Sequence, residues 1–212
     1  MNPPTESEIL FEKFCAQLRI PFRRVGCSTT KTPDYDITLG GFTVVAEVKQ
    51  LDQNEDDKEG WAKLKTGVVA EWVTTDVRVR RKVKKAEKQL NERCHGTLPG
   101  MLVLYDNGSL GGTDVTDIKT AMFGDETVKV LRRKIDGATI ASAIHPGCNG
   151  VCTKNDNTTV SAVGLFFWLG DGYQLSVFHN HNAAVPTNPG WFRHERFQHF
   201  GLHPDFYDWR PL

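Results

Sequence analysis

Two or three carboxylates and one ammonium stand in a short stretch of this chain, at a spacing that suits chemistry. Residues 32–50 read TPDYDITLGGFTVVAEVKQ, with Asp34 and Asp36 ahead of a Gly40-Gly41 pair and Glu47 and Lys49 after it. Side chains two apart on a strand emerge on one face, so Glu47 and Lys49 go together while Ala46 and Val48 turn to the other. Asp34 and Asp36 share a face in the same way. If the two faces coincide, the acids and the lysine meet in one small volume. Crowded carboxylates repel and lose hydration, a cost that a hard divalent cation offsets. Mg²⁺ suits such a place, since it takes one or two protein carboxylates and fills its shell with water and a substrate phosphate. Mn²⁺ is the expected substitute. Lys49 would orient a metal-bound water or offset charge growing on phosphorus oxygens. The chemistry such a set supports is phosphodiester hydrolysis. The plain alternative is a solvated cross-strand charge pattern, which Glu-x-Lys by itself favours.

The elements that must hold these residues are legible around them. Residues 35–39 alternate as a short strand, Gly40-Gly41 closes a hairpin, and the return strand runs from Phe42 to Val48. A helix is predicted from Thr5 or Ser7 to Leu18, where Thr5 and Glu8 fit a capping box and Ile9, Leu10, Phe14 and Leu18 form an apolar stripe. Pro21 stops it, and Phe22 to Val25 alternates as a first strand. Thr29, Thr30 and Lys31 form a polar turn ahead of Pro33-Asp34, and the acidic run 52–59 reads as a solvated connector. Trp61 and Trp72 belong to a helical or irregular segment that partly buries them. Residues 77–94, VRVRRKVKKAEKQLNERC, carry Val79, Val83, Ala86 and Leu90 at helical spacing amid eight basic side chains. Residues 100–106 are a continuous apolar run, read as a buried central strand.

The segment resembles the core motif of the PD-(D/E)XK phosphodiesterases, the restriction-endonuclease-like superfamily. The motif reads Pro33-Asp34, then Glu47-Val48-Lys49, followed by Gln50. The resemblance implies that Asp34 and Glu47 bind metal, that the Val48 carbonyl joins them, and that Lys49 is catalytic. Gln50 is a further candidate. An acid of the first helix often reaches the metal in related nucleases, which makes Glu8 a candidate ahead of Glu12; the capping box gives Glu8 a structural explanation as well. Asp36 is the register alternative to Asp34. The family layout implies an αβββαβ core, with the basic helix beside the active site. Arg81, Lys84, Lys85 and Lys88 are then placed to meet backbone phosphates, and Gln89 to approach the site. A solvated helix face is the alternative. The implied activity is Mg²⁺-dependent cleavage of nucleic acid, DNA first, by an endonuclease. RNA cleavage, or a nucleic-acid-binding subunit that keeps the fold without cleavage, are the rivals. Many nucleases of this class dimerise, so a homodimer is an open expectation.

Composition bounds the rest. The chain has 212 residues, which fits a single domain with a core over residues 5–106 and a C-terminal extension. Lys plus Arg equal Asp plus Glu at 26 each, so nucleic acid would have to be met by a local basic patch. Five cysteines without regular pairing point to a reducing compartment. No basic-then-apolar leader and no membrane-length apolar run is present, so the cytoplasm is expected and no membrane partner. Beyond residue 107, Asp114 or Thr116 caps a helix through Met122, and 128–131 with 139–144 suggest a strand pair. Residues 145–157 read as a loop. Residues 160–169 and 173–178 flank Gly170-Asp171-Gly172 as a hairpin that extends the sheet or caps its edge. The aromatic tail is read as an ordered arm wrapping the domain, and its histidines with Cys148 and Cys152 match no closed zinc spacing. The expected fold is therefore α/β with a mixed central sheet, extended by a C-terminal β-hairpin and an aromatic arm.

Overall fold

A computed structural model describes residues 3–26, 32–69, 76–107, 112–142, 144–203 and 207–212. Helix α1 (Glu6–Gln17) begins at Thr5, whose side chain and Glu8 complete the capping box. Strands β1 (Phe22–Arg24), β2 (Tyr35–Leu39) and β3 (Phe42–Asp52) follow. Gly40 and Gly41 both take positive φ, as a two-residue turn between strands requires. Then come α2 (Glu55–Lys65), α3 (Val77–Cys94), β4 (Gly100–Asn107) and α4 (Val115–Phe123), the last capped by Asp114. The remainder is β5 (Glu126–Thr127), β6 (Val130–Arg132), β7 (Thr139–Ala141), β8 (His145–Pro146), β9 (Val160–Leu169), β10 (Gly172–His179), β11 (Phe197–His203) and β12 (Asp208–Pro211). The chain is mixed α/β, with four α-helices among the described residues. None of those helices is long and apolar enough to cross a membrane.

One mixed sheet of eight strands runs in the order β1-β2-β3-β4-β9-β10-β11-β12. β1 to β3 are antiparallel, β3-β4-β9 are parallel, and β10-β11 are parallel again. Its faces bury different cores. On one, Val79, Val83, Ala86 and Leu90 of α3 and Ile118 and Met122 of α4 pack on Val45, Leu51, Leu102 and Leu104. On the other, Phe11 and Phe14 of α1 pack on Val44, Ala46, Val48 and Phe166. Burying both faces of β4 explains its continuous apolar run.

Four expectations need correction. The acidic run 52–59 is not merely a connector: Asn54 caps α2, Asp57 returns the bond, and the acids of its first turn sit where the helix dipole favours them. β3 continues past Val48 to Asp52, held by β4 alongside it. The tail is not a wrapped arm but two further strands, β11 and β12. Its alternation was masked because both faces are apolar: Phe197 joins the α1 side, while Phe200 and Leu202 join the α3 side. The pair expected at 128–144 is shorter, and forms its own two-stranded sheet. Thr29, Thr30, Lys31, Trp72, Gly108 and Phe206 lie outside the described residues; Trp61 is 40% exposed.

Candidate active site

Hairpin register brings the first acid to the second. Tyr35 pairs with Ala46 and Asp36 with Val45, so one step outward Asp34 stands opposite Glu47. Asp34 Oδ2 accepts the amide of Val48 at 2.8 Å, which fixes the carboxylate against β3. Lys49, on the same side of the strand as Glu47, sets its ammonium against Glu47 Oε1. This is also the side of Val45 and Leu51, so the group lies on the sheet face that α3 covers. Glu47 is fully buried, whereas the Lys49 side chain keeps 24% of its surface.

Burial gives the acid pair its chemistry. Beyond the contact with Lys49 and the adjacent Asp34 carboxyl, neither Glu47 oxygen has a hydrogen-bond partner among the described residues. Burial first, and the neighbouring Asp34 second, push the Glu47 carboxyl up to about 8. Asp34 is also raised by burial, against the opposing effect of the Val48 amide. Two acids that resist ionising together, with bare oxygens beside them, form a donor set that a divalent cation would stabilise. Among the described residues no group of three or more His, Cys, Asp or Glu is placed to hold a metal. Two side-chain donors completed by water are within the ordinary range of Mg²⁺, so the residues present fit it.

The other candidates separate into near and far. Asp36 is held by Arg23 at 2.6 Å and by both Arg93 nitrogens at 2.8 and 3.1 Å. Burial alone would raise its carboxyl, but the bonds from Arg93 and then Arg23 hold it below its usual range. It ties β1, β2 and α3 together. Asp36→Asn is expected to cost about 1–2 kcal/mol in denaturant unfolding, because both arginines stay solvated. Unchanged stability in that variant would mean that these ion pairs do not hold the elements together. Gln50 points to the opposite face from Glu47: its Oε1 accepts from Ser7 N at 3.2 Å and its Nε2 donates to Asp52 at 2.6 Å. Glu8 caps α1, and Glu12 accepts from the Tyr35 hydroxyl at 3.0 Å; both face Arg24. Arg24 in turn acts on Asp34, so α1 reaches the acid pair only through a cation. Val48 is linked to Asp34 by its amide. Gln89 donates to Thr32 O at 3.2 Å, which brings it to the approach of Asp34.

Lys82 was not singled out by the motif. Its ammonium donates to Gln50 O at 2.7 Å, and burial first and Lys49 second push its pKa down. A second cation therefore stands near the first. The signal was present in the basic run, but only the packing of α3 on β3 selects this lysine from its neighbours. Arg81, Lys84, Lys85 and Lys88 are all exposed on α3 and make no ion pair among the described residues. Three histidines of the tail make internal contacts: His179 bonds Thr187 at 3.0 Å and His199 at 2.9 Å, and His181 stacks on Phe123.

No family model, no curated protein and no solved structure matches this chain.

Proposed function

We propose that this chain is a metal-dependent phosphodiesterase of the PD-(D/E)XK type that cleaves nucleic acid, DNA in the first instance. The observation that carries the reading is the buried, otherwise unpartnered Glu47 beside Asp34, with Lys49 on the same face of the same strand. A structural salt bridge has no need of the second acid, and burying one is costly. The element order up to β4, a helix, three strands, two helices and a strand, is compatible with an αβββαβ core carrying α2 as an addition. Asp34 and Glu47, with the Val48 carbonyl between Glu47 and Lys49, would hold the ion. Bound Mg²⁺ would supply Lewis acidity and a water nucleophile near neutral pH. Lys49 would hold that water's orientation or meet the charge on the phosphorus oxygens. Lys82, near Lys49, would add a second positive charge to the site. Incubation with duplex and single-stranded DNA and with RNA, in Mg²⁺, Mn²⁺, Ca²⁺ or EDTA, tests this directly. Cleavage undiminished in excess EDTA sinks it.

The binding side of the proposal rests on α3. Lys84, Lys85 and Lys88, with Glu87 among them, form one wall of an open groove of about 690 Å³, whose other wall is residues 149–151 and 155–157, Asp156 included. Changing Arg81, Lys84, Lys85 and Lys88 together to glutamine leaves the buried Val79, Val83, Ala86 and Leu90 untouched and costs little helix propensity. Affinity for duplex should fall regardless of sequence, and the slope of log K against log salt should flatten by about 0.9 per lost phosphate contact. An unaltered slope in folded protein would reduce the helix to a solvated face.

A further inference from the structure

Between α4 and β9 the chain sends out a ribbon that the sheet does not use. β6 and β7 pair only with each other, Val130 with Ala141, Leu131 with Ile140 and Arg132 with Thr139. All six strand residues are exposed. Val130 is 63% exposed, Leu131 68%, Ile140 53%, and Ile135 in the turn 94%. Apolar side chains concentrated on an isolated two-stranded ribbon are a poor investment for stability, since such a hairpin is marginal in water. The ribbon is also the second basic concentration in a chain of zero net charge. Lys129, Arg132, Arg133 and Lys134 lie within six consecutive residues, and among the described residues only Arg133 forms an ion pair, with Asp136 at 2.5 Å.

We propose that the β6-β7 ribbon is an arm that enters the major groove of B-form duplex DNA, with its cations on the flanking phosphates and Ile135 toward the base edges. The proposal rests on the hydrolase reading for its choice of nucleic acid, and it names the duplex that reading left open. Dimensions favour it. Ile135 stands six residue steps from Lys129, a reach of about 20 Å in extended chain. The B-DNA major groove is about 12 Å wide and about 8.5 Å deep, and it admits a two-stranded ribbon. The major groove of an RNA duplex is too deep and narrow for side chains to read. Charge argues against a second copy as the occupant, because two such ribbons set edge to edge would oppose their lysines and arginines. The turn is closed by Arg133 N to Ala138 O at 2.8 Å and Gly137 N to Arg133 O at 2.9 Å, which leaves Ile135 at the tip. An apolar tip between basic flanks is the arrangement that contacts thymine methyls or wedges at a base step while phosphates are held on either side. The base is anchored to α3: Arg80 reaches Asp125 at 2.7 Å, and Asn149 binds the same carboxylate at 2.9 Å.

Equilibrium binding in Ca²⁺, without turnover, tests the arm on a short DNA duplex and an RNA duplex of the same sequence. Arg132→Gln with Lys134→Gln should weaken DNA binding on the order of tenfold at low salt and flatten the salt slope by about 1.8. Ile135→Ser should weaken it a few-fold with the slope unchanged, and the RNA duplex should be bound less well by the native chain and little affected by either change. Both substitutions fall on exposed positions, and circular dichroism would report the fold. Unchanged DNA affinity and slope would overturn the arm, as would equal losses on the RNA duplex or no duplex binding at all. Sedimentation showing a native dimer that Ile135→Ser dissociates, with DNA affinity intact, would assign the ribbon to self-association instead. Arm-dependent DNA binding by a protein that never cleaves in Mg²⁺ would leave the arm standing and remove the hydrolase. Cleavage by a protein whose binding ignores these changes would do the reverse.

Discussion

On the proposed hydrolase reading, Asp34→Ala and Glu47→Ala should each lower Mg²⁺-dependent cleavage about a thousandfold or more, and remove the thermal stabilisation that the reading expects Mg²⁺ to give the native chain. The first figure follows from a metal contributing several kcal/mol to the transition state. The second follows from linkage: a ligand at a hundred times its Kd raises stability by about 2.7 kcal/mol, and a protein without the site gains nothing. Glu47→Gln sharpens the test, because the amide keeps the shape of a fully buried side chain while removing its charge. In EDTA that variant should be about as stable as the native protein or more so, since relief from burying the charge offsets the weakened contact with the partly exposed Lys49. In Mg²⁺ it should fall behind. An acid kept for structure would behave oppositely, losing stability in EDTA and responding to Mg²⁺ as before. Thermal unfolding with and without metal, beside a cleavage assay, separates the two. Retained cleavage in both alanine variants would end the metal reading.

Lys49→Met should lower turnover by about 10²- to 10³-fold, the range seen when one group that stabilises transition-state charge is removed, while the Mg²⁺ shift in unfolding persists. The ammonium sits against Glu47 Oε1 but is not itself a metal donor. Its removal takes away a competitor for that oxygen, so the Mg²⁺ shift should be kept or increased. Stability in EDTA should drop, because Glu47 loses the one cation that contacts it among the described residues. This split between turnover and metal response is what a purely structural ion pair does not produce. A Lys49→Met protein that cleaves normally, or one that loses the Mg²⁺ shift as fully as the Glu47 variants do, would reassign the lysine.

Much of this was written in local sequence. Thr5 with Glu8, and Asp114 ahead of the 115–123 helix, are capping signals that act within one turn, and each helix begins where its cap stands. The Gly40-Gly41 pair demands positive φ, so it fixed the hairpin and, through strand parity, put Glu47 and Lys49 on one side. Val79, Val83, Ala86 and Leu90 announced the buried stripe of α3, and the short apolar run at 100–106 a buried central strand. Parity could not tell Asp34 from Asp36, which share a face. That choice belongs to Arg93, 57 residues away on α3, which claims Asp36 and leaves Asp34 beside Glu47. Gln50, next to Lys49 in the chain, was turned to α1 because adjacent strand residues face opposite ways and Ser7 waits there. Lys82 became part of the site only when α3 lay along β3, and β9 took its place between β4 and β10 by pairings of high sequence separation. Local propensity does not encode such contacts. They are set by which faces must be buried together, and that is decided only when the whole sheet closes over its two cores.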